Sequence, residues 1–169
     1  MAPLRQHDMR LRAARQDEVK EVWDDHWYGL VVCLNTVYTP QDVEGLALVD
    51  DLDEMVGLVT YRVDGPAGQI VTLDTIIRGR GFGGRLLEAV GGKFHTRGLG
   101  RSWALMTNDN LRAAGLYLSR GYRLIRIHLD AIERVREHKP KLPDKGYDGI
   151  PIRDLWEFEK LGPLGVPVP

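Results

Sequence analysis

Apolar residues along this chain fall into two periods. Met9-Arg-Leu-Arg-Ala-Ala14 alternates apolar and polar, the period of a half-buried strand. Gln16 to about Trp27 puts Val19, Val22 and Trp23 on one helical face. Asp17 and Glu18 stand in its first turn, where the helix dipole favours acids. Leu30 to Gln41 fits either a second helical turn or a loop and is closed by Pro40. Leu46 to Val49 and Met55 to Val63 read as two strands of a hairpin across the acidic turn 50–53. After the turn Asp64-Gly-Pro-Ala-Gly68 comes a fourth strand, Gln69 to Ile77, rich in β-branched residues.

A helix follows from Gly84 to about His95, with Leu86, Leu87, Val90 and Phe94 on one side. Gly91 and Gly92 each cost on the order of 1 kcal/mol there, so its last turn is expected to fray. Ser102 to Thr107 is a fifth strand, in a parallel crossover with the fourth. Asn110 to Arg120 is a helix carrying Leu111, Ala114 and Leu118, stopped by Gly121. Tyr122 to Leu129 is a strand, Ala131 to Glu137 a short helix, and Ile152 to Lys160 a final strand. Residues 1–8 read as a loose terminus and 161–169, rich in Pro and Gly, as a disordered tail. The expectation is one α/β domain over 1–160 with a mixed sheet.

Between the fourth strand and its helix lie Gly79, Gly81, Gly83 and Gly84, with Arg78, Arg80 and Arg85 among them. A strand, a glycine turn and a helix N-terminus present free N–H groups to an anion. This is the form of a pyrophosphate cradle. Gly79-x-Gly81-x-x-Gly84 also satisfies the dinucleotide fingerprint, and Gly79-x-x-x-x-Gly84 begins a P-loop. Arg85-Leu86 stands where a P-loop has its lysine and hydroxyl, which argues against that reading. A dinucleotide domain places its fingerprint after its first strand and needs an acid about 20 residues on. Here three strands precede the loop, and Trp103 and Ala104 stand at that distance.

Composition changes this picture only slightly. At 43% apolar and 28% charged, the 169 residues describe an ordinary globular protein. No apolar run is long enough to span a bilayer and no leader pattern opens the chain, so the expected setting is the cytoplasm, without a membrane partner. The single cysteine, Cys33, excludes an internal disulfide and reads as a buried apolar residue. No metal-ligand spacing occurs. The net charge of −1 conceals segregation: residues 1–75 hold 6 Lys/Arg against 14 Asp/Glu, and residues 76–126 hold 10 against 2. The basic block suits a polyanionic ligand and the acidic one a cationic ligand. A pI near 6.5, with no binding motif, argues against nucleic acid.

Two segments decide among the phosphate ligands. Arg78-x-x-Gly81-x-Gly83 with Leu86-Leu87 resembles the acyl-CoA loop of the GNAT acetyltransferases. Asn110-x-x-Ala113-x-x-Leu116-Tyr117-x-x-x-Gly121-Tyr122 resembles the family's second signature, in the expected order and spacing. The resemblance covers about residues 9–130. It implies the GNAT (acyl-CoA N-acyltransferase) fold, a mixed sheet of six to seven strands splayed between strands four and five. It implies acetyl transfer from acetyl-CoA to a primary amine, of a small molecule or a peptide, by direct attack in a ternary complex. A homodimer is common among such folds.

For the site, the resemblance implies that Arg78 and the loop Arg80-Gly81-Phe82-Gly83-Gly84 hold the pyrophosphate. A backbone N–H near Thr75–Ile76 would hold the thioester carbonyl, and Asn110 and Ala113 would lie along the cofactor. Tyr117 would protonate the leaving thiolate, with a core position as its alternative. An amine needs a base at neutral pH. Asp74, an acid inside an apolar strand, and His26 are the two candidates. The other histidines, His7, His95, His128 and His138, lack ligand spacing. Lys139-Pro-Lys-Leu-Pro143 and Gly146 to Asp154 resemble a GNAT subgroup ending, while His26-Trp27-Tyr28-Gly29 carries an insertion against that subgroup's H-W-G. Asp148 and Asp154 read as turn formers, with acceptor binding as the other role. A non-catalytic acyl-CoA sensor remains the second class of function.

Overall fold

The computed structural model describes residues 9–164. Expectations for the first eight residues, His7 included, lie outside this range. Nine strands and four α-helices run in the order β1 (Arg10–Ala13), α1 (Gln16–His26), β2 (Val31–Cys33), β3 (Thr36–Tyr38), β4 (Glu44–Val49), β5 (Met55–Asp64), β6 (Ala67–Thr75), α2 (Phe82–Thr96), β7 (Arg101–Thr107), α3 (Leu111–Ser119), β8 (Arg123–His128), α4 (Ile132–His138) and β9 (Leu155–Leu161). Seven strands form one mixed sheet, ordered β1-β4-β5-β6-β7-β9-β8. A mixed sheet of seven strands is what the sequence led us to expect.

Three clusters of side chains hold helices to the sheet. On one face α2 and α3 bring Phe82, Leu86, Val90, Phe94 and Tyr117 against Leu46, Val59 and Ile70. On the other, Val19 and Trp23 of α1 pack on Leu58 and Val71. Ile132 and Val135 of α4 pack with Val32, Ile152 and Leu155, and this cluster shares Leu105 with that of α1.

The segment left open between 30 and 41 is the β2–β3 hairpin, followed by a 3₁₀ turn over Pro40–Asp42. Its two-residue loop puts Leu34 at a left-handed φ of +53°, a conformation that glycine or asparagine usually signals. Cys33 is buried there, as expected; burial pushes its thiol up to about 11. Three other expectations need correction. Helix α2 does not fray at Gly91–Gly92 but runs to Thr96, because Val90 and Phe94 flank the pair and are fully buried. Gly68 is in β6 rather than in a turn; a Cβ there would lie 2.4 Å from the Phe94 ring. On α3 the inward face is Ala114 and Tyr117, while Leu111 and Leu118 are exposed.

The tail boundary also moves. Leu161 closes β9 opposite Arg101, and Leu164 is buried in the main cluster; residues 165–169 lie outside the described range. Part of the acidic first half is paired with arginines. Glu18 accepts from Arg12, Asp53 from Arg10 and Arg12, and Glu44 from Arg97.

One irregularity in the sheet shapes everything that follows. Strand β6 pairs with β7 only from Ala67–Arg101 to Ile70–Ala104, and beyond that both continue apart. The next residue, Val71, is a bulge: Tyr61 faces Ile70 and Thr60 faces Thr72, so Val71 has no partner on β5. A bulge bends its strand and increases the local twist. Here it turns β6 away from β7. The N–H of Thr72 is taken by Thr60 Oγ1 at 3.2 Å, and the two hydroxyls meet at 2.6 Å. Trp23 Nε1 donates to Thr72 from α1 at 3.3 Å.

Candidate active site

The gap between β6 and β7 is bordered by groups from both faces of the sheet. On the α1 side, Asp74 stands three residues past the bulge. Its carboxylate lies 3.1 Å from His26 Nδ1 and accepts Trp27 Nε1–H at 3.0 and 3.1 Å. Burial pushes the Asp74 carboxyl above its ordinary value, against the opposing pull of the Trp27 and His26 hydrogen bonds. The Asp74 side chain is 14% exposed and that of His26 52%. A half-dry acid thus touches a wet imidazole. The two base candidates are one hydrogen-bonded pair.

Helix α1 delivers this pair through an unusual exit. His26 ends the helix, Trp27 caps it, and Tyr28 and Gly29 take φ of +59° and +80°. The N–H groups of Trp27 and Gly29 both return to Trp23 O, at 2.9 and 2.8 Å. A non-glycine residue in the left-handed region is strained, and such strain gathers at functional sites. This turn aims the Trp27 indole back at β6. Sequence reasoning missed Trp27; an indole that must find an acceptor beside His26 was the available signal.

On the opposite side of the sheet, α3 brings Asn110, Ala113 and Tyr117 along one face. The Asn110 side-chain oxygen accepts Ala113 N–H at 3.1 Å, so its observed bond is that of a helix cap. Tyr117 is buried, edge-on to Tyr122 at 5.0 Å and tilted against Phe158 at 6.2 Å. Burial pushes its hydroxyl pKa well above the ordinary value, so the phenol holds its proton at neutral pH.

The edge of β6 corrects one expectation. Ile76 N–H is already donated to Val56 O at 2.9 Å. In an antiparallel ladder, successive residues turn their N–H groups to opposite sides. Asp74 and Ile76 therefore face β5, while Leu73 and Thr75 turn theirs toward the open side. Of the pair Thr75–Ile76, the backbone donor facing the gap is that of Thr75.

At the end of the gap the glycine turn enters α2. Gly79 and Gly81 have φ of +74° and +73°, and Gly81 is the residue before the helix. Phe82 anchors the first turn in the core. Gly83 lies against α3, where a Cβ would come 2.9 Å from Leu116 Cδ2. At Gly84 a Cβ would fall 1.9 Å from an Arg120 guanidinium nitrogen. Arg120 therefore lies across the first turn of α2, and it also bonds Glu88 at 3.2 Å. Arg78 stands 5.6 Å from the centre of the Tyr147 ring. Arg80 is exposed on the turn. Arg85 turns elsewhere: its guanidinium donates to Met9 O at the start of β1. The first turn of α2, with two left-handed glycines and two arginines beside it, fits a diphosphate.

The C-terminal motif straps the far end of β7. Asn108 bonds the backbone of Pro151, Arg153 and Asp154, and Asp109 accepts Tyr147 N–H at 3.0 Å. Asp148, at φ +54°, sits in a turn, and Asp154 accepts Asp130 N–H at 2.9 Å; both are structural here. His128 Nε2 lies 2.8 Å from a Glu157 carboxylate oxygen.

The sequence pattern of the acetyltransferase (GNAT) family matches residues 8–122, and the chain belongs to that family. A relative from Bacillus subtilis (strain 168), the uncharacterized protein YxbD, is 33% identical over 140 residues. The match covers 82% of this chain and 88% of the relative. Among solved structures, an IAA acetyltransferase from Bacillus cereus superposes with a TM-score of 0.71 at 13% identity, covering 90% of this chain and 99% of that one. A Bacillus subtilis acetyltransferase in complex with CoA superposes with a TM-score of 0.69 at 18% identity, covering 90% and 98%. At these identities the two structures establish the fold. Among the described residues, no helix is long and apolar enough to cross a membrane.

Proposed function

We propose that this protein transfers an acetyl group from acetyl-CoA to a primary amine by direct attack. The observation that carries this reading is the Asp74–His26 pair at the end of β6, with Tyr117 on the far face of the same sheet. Acyl transfer to an amine needs a group that removes a proton from an ammonium and one that gives a proton to sulfur. Asp74 with His26 fits the first need and Tyr117 the second. The N–H of Thr75 supplies a fixed dipole for the thioester oxygen, an interaction that strengthens as charge develops. Arg78, Arg80 and residues 81–84 take the diphosphate, and Asn110 and Ala113 border the arm that leads inward.

The atoms balance without a covalent enzyme intermediate. The nitrogen loses one proton to the pair and attacks, and a C–N bond forms. The C–S bond breaks as the intermediate collapses. The sulfur takes a proton from Tyr117, the nitrogen's second proton restores the Tyr117 phenol through solvent, and the proton held by the pair leaves to solvent.

Thiol release from acetyl-CoA, followed over a panel of amines, tests the reading. Turnover with at least one primary amine and none with the matching alcohols is expected. Tight acetyl-CoA binding with no turnover over the whole panel would instead make the domain an acyl-CoA sensor.

A further inference from the structure

A cleft of about 400 Å³ opens between the end of α1 and the turn after α4. Asp24, Tyr28, His138, Lys139 and Lys141 line it, and none of its walls comes from β6 or β7. Lys139 stands out among these residues. It is 7% exposed, yet among the described residues its ammonium has neither an ion-pair partner nor a side-chain hydrogen bond. Its neighbours are the faces of two rings: Trp27, with the centre 5.7 Å away, and Tyr28, at 5.8 Å. A cation over aromatic faces is held well short of what a carboxylate partner and full hydration supply. Burial accordingly pushes the Lys139 ammonium down to about 8.

The charged side chains lining this cleft are Asp24, Lys139 and Lys141. Asp24 is held by Lys20 one turn earlier in α1. Lys141 and His138 flank Lys139 on the same turn after α4. The Lys139 backbone is fixed at both ends, its N–H to Val135 O at 2.9 Å and its carbonyl to Leu142 N–H at 3.0 Å, so the side chain is presented from a rigid bend.

Trp27 joins the two places. Its indole N–H holds Asp74, and its ring face carries Lys139. An acceptor whose amine reaches Asp74–His26 therefore extends past Trp27 and Tyr28 toward an unpaired ammonium. We propose that the acceptor is an amino carboxylate, with its amine at the Asp74–His26 pair and its carboxylate on Lys139. The assignment rests on the amine-acetyltransferase reading. It names the substrate class where the charge of the sequence alone suggested a purely cationic acceptor. A carboxylate in this cleft completes the pairing that the fold leaves open, and charge-assisted hydrogen bonds of this kind are the strong ones.

The test uses a series of linear ω-amino carboxylates of three to eight carbons, each with its terminal amide. Binding to the CoA-loaded protein is measured by calorimetry and turnover by thiol release. At one or more chain lengths the carboxylate should bind at least tenfold more tightly than its amide. In Lys139→Met, which keeps the unbranched stem, that ratio should fall to about one, while Lys139→Arg should retain a preference. Equal binding of acids and amides by the parent protein overturns the proposal, as does a preference that survives in Lys139→Met. Binding that depends on Lys139, without turnover of any acid in the series, would sink the transferase reading and leave the anion subsite standing. A circular dichroism melt of each variant shows that it is folded.

Discussion

Asp74 and His26 lie 48 residues apart in sequence, and their side chains meet at 3.1 Å beside the end of a splayed strand. Neither residue alone would make a persuasive base. Together they place a half-buried carboxyl against an imidazole that reaches water.

Removing the acid is the direct test of the pair. Asp74→Asn should lower kcat/KM by about 10²–10⁴-fold and leave the acetyl-CoA affinity unchanged. The pH profile adds a sign. Burial raises the Asp74 pKa and the Trp27 N–H opposes that rise. Trp27→Phe should therefore move the acid limb of kcat/KM to higher pH. A limb that stays in place would show that Asp74 does not titrate in the reaction.

Tyr117→Phe removes one hydroxyl from a packed ring. We expect at least a tenfold loss in kcat with acetyl-CoA affinity retained, since a well-placed proton donor contributes roughly 10²–10⁴-fold. If kcat stays within twofold while chemistry limits the rate, Tyr117 is a packing residue.

The glycines of α2 and its entry turn separate by environment. Gly81 needs a left-handed φ, which costs a side chain about 1–2 kcal/mol. Gly81→Val should weaken acetyl-CoA binding at least tenfold by calorimetry. Gly92 has open space where a Cβ would go, so Gly92→Ala should raise stability by up to about 1 kcal/mol without altering affinity. The reverse pattern would remove the cradle from this turn.

The bulge at Val71 depends on one hydroxyl. Thr60→Val keeps the shape but leaves the Thr72 N–H without its acceptor. Denaturant melts should show a loss of about 1–3 kcal/mol. A neutral result would mean that the bulge is held by strand pairing alone.

Acid stability has its own probe in Glu18. Hydrogen bonds from Arg12 pull its carboxyl down from 4.5 to about 2, assisted by the Arg15 N–H and opposed by burial. A depressed carboxyl stabilises the fold above its unfolded pKa, and that contribution disappears as pH falls through the folded value. Glu18→Gln should cost about 1.5–3 kcal/mol at pH 7. The difference from the parent protein should close between about pH 4.5 and pH 2. A constant gap across that window would contradict the pairing.

The glycine turn was legible because its chemistry is local: left-handed dihedrals and a close helix contact both demand glycine within a few positions. The α2 face was legible for the same reason. The β2–β3 hairpin was not, because Leu34 takes the turn conformation without a turn residue's signature. The Val71 bulge left no mark either, since it is a relation between β5 and β6. Distance in sequence hid the rest. Asp74 and His26 were each visible as titratable groups, but their contact, the Trp27 hydrogen bond and the approach of Lys139 exist only once α1 and α4 share a face of the sheet. Ile76 failed as a donor because the ladder register that engages it is a tertiary fact.

The position of β9 bears on how the molecule comes into being. It lies between β7 and β8, both of which precede it in the chain. During synthesis on the ribosome, β7 and β8 emerge with a vacancy between them, and direct pairing of the two would be a trap. One wall of the gap between β6 and β7 thus gains its outer neighbour only after some fifty further residues have been translated. A nascent chain halted before Leu155 would carry the whole glycine turn and both Asp74 and His26, on a sheet without its keystone.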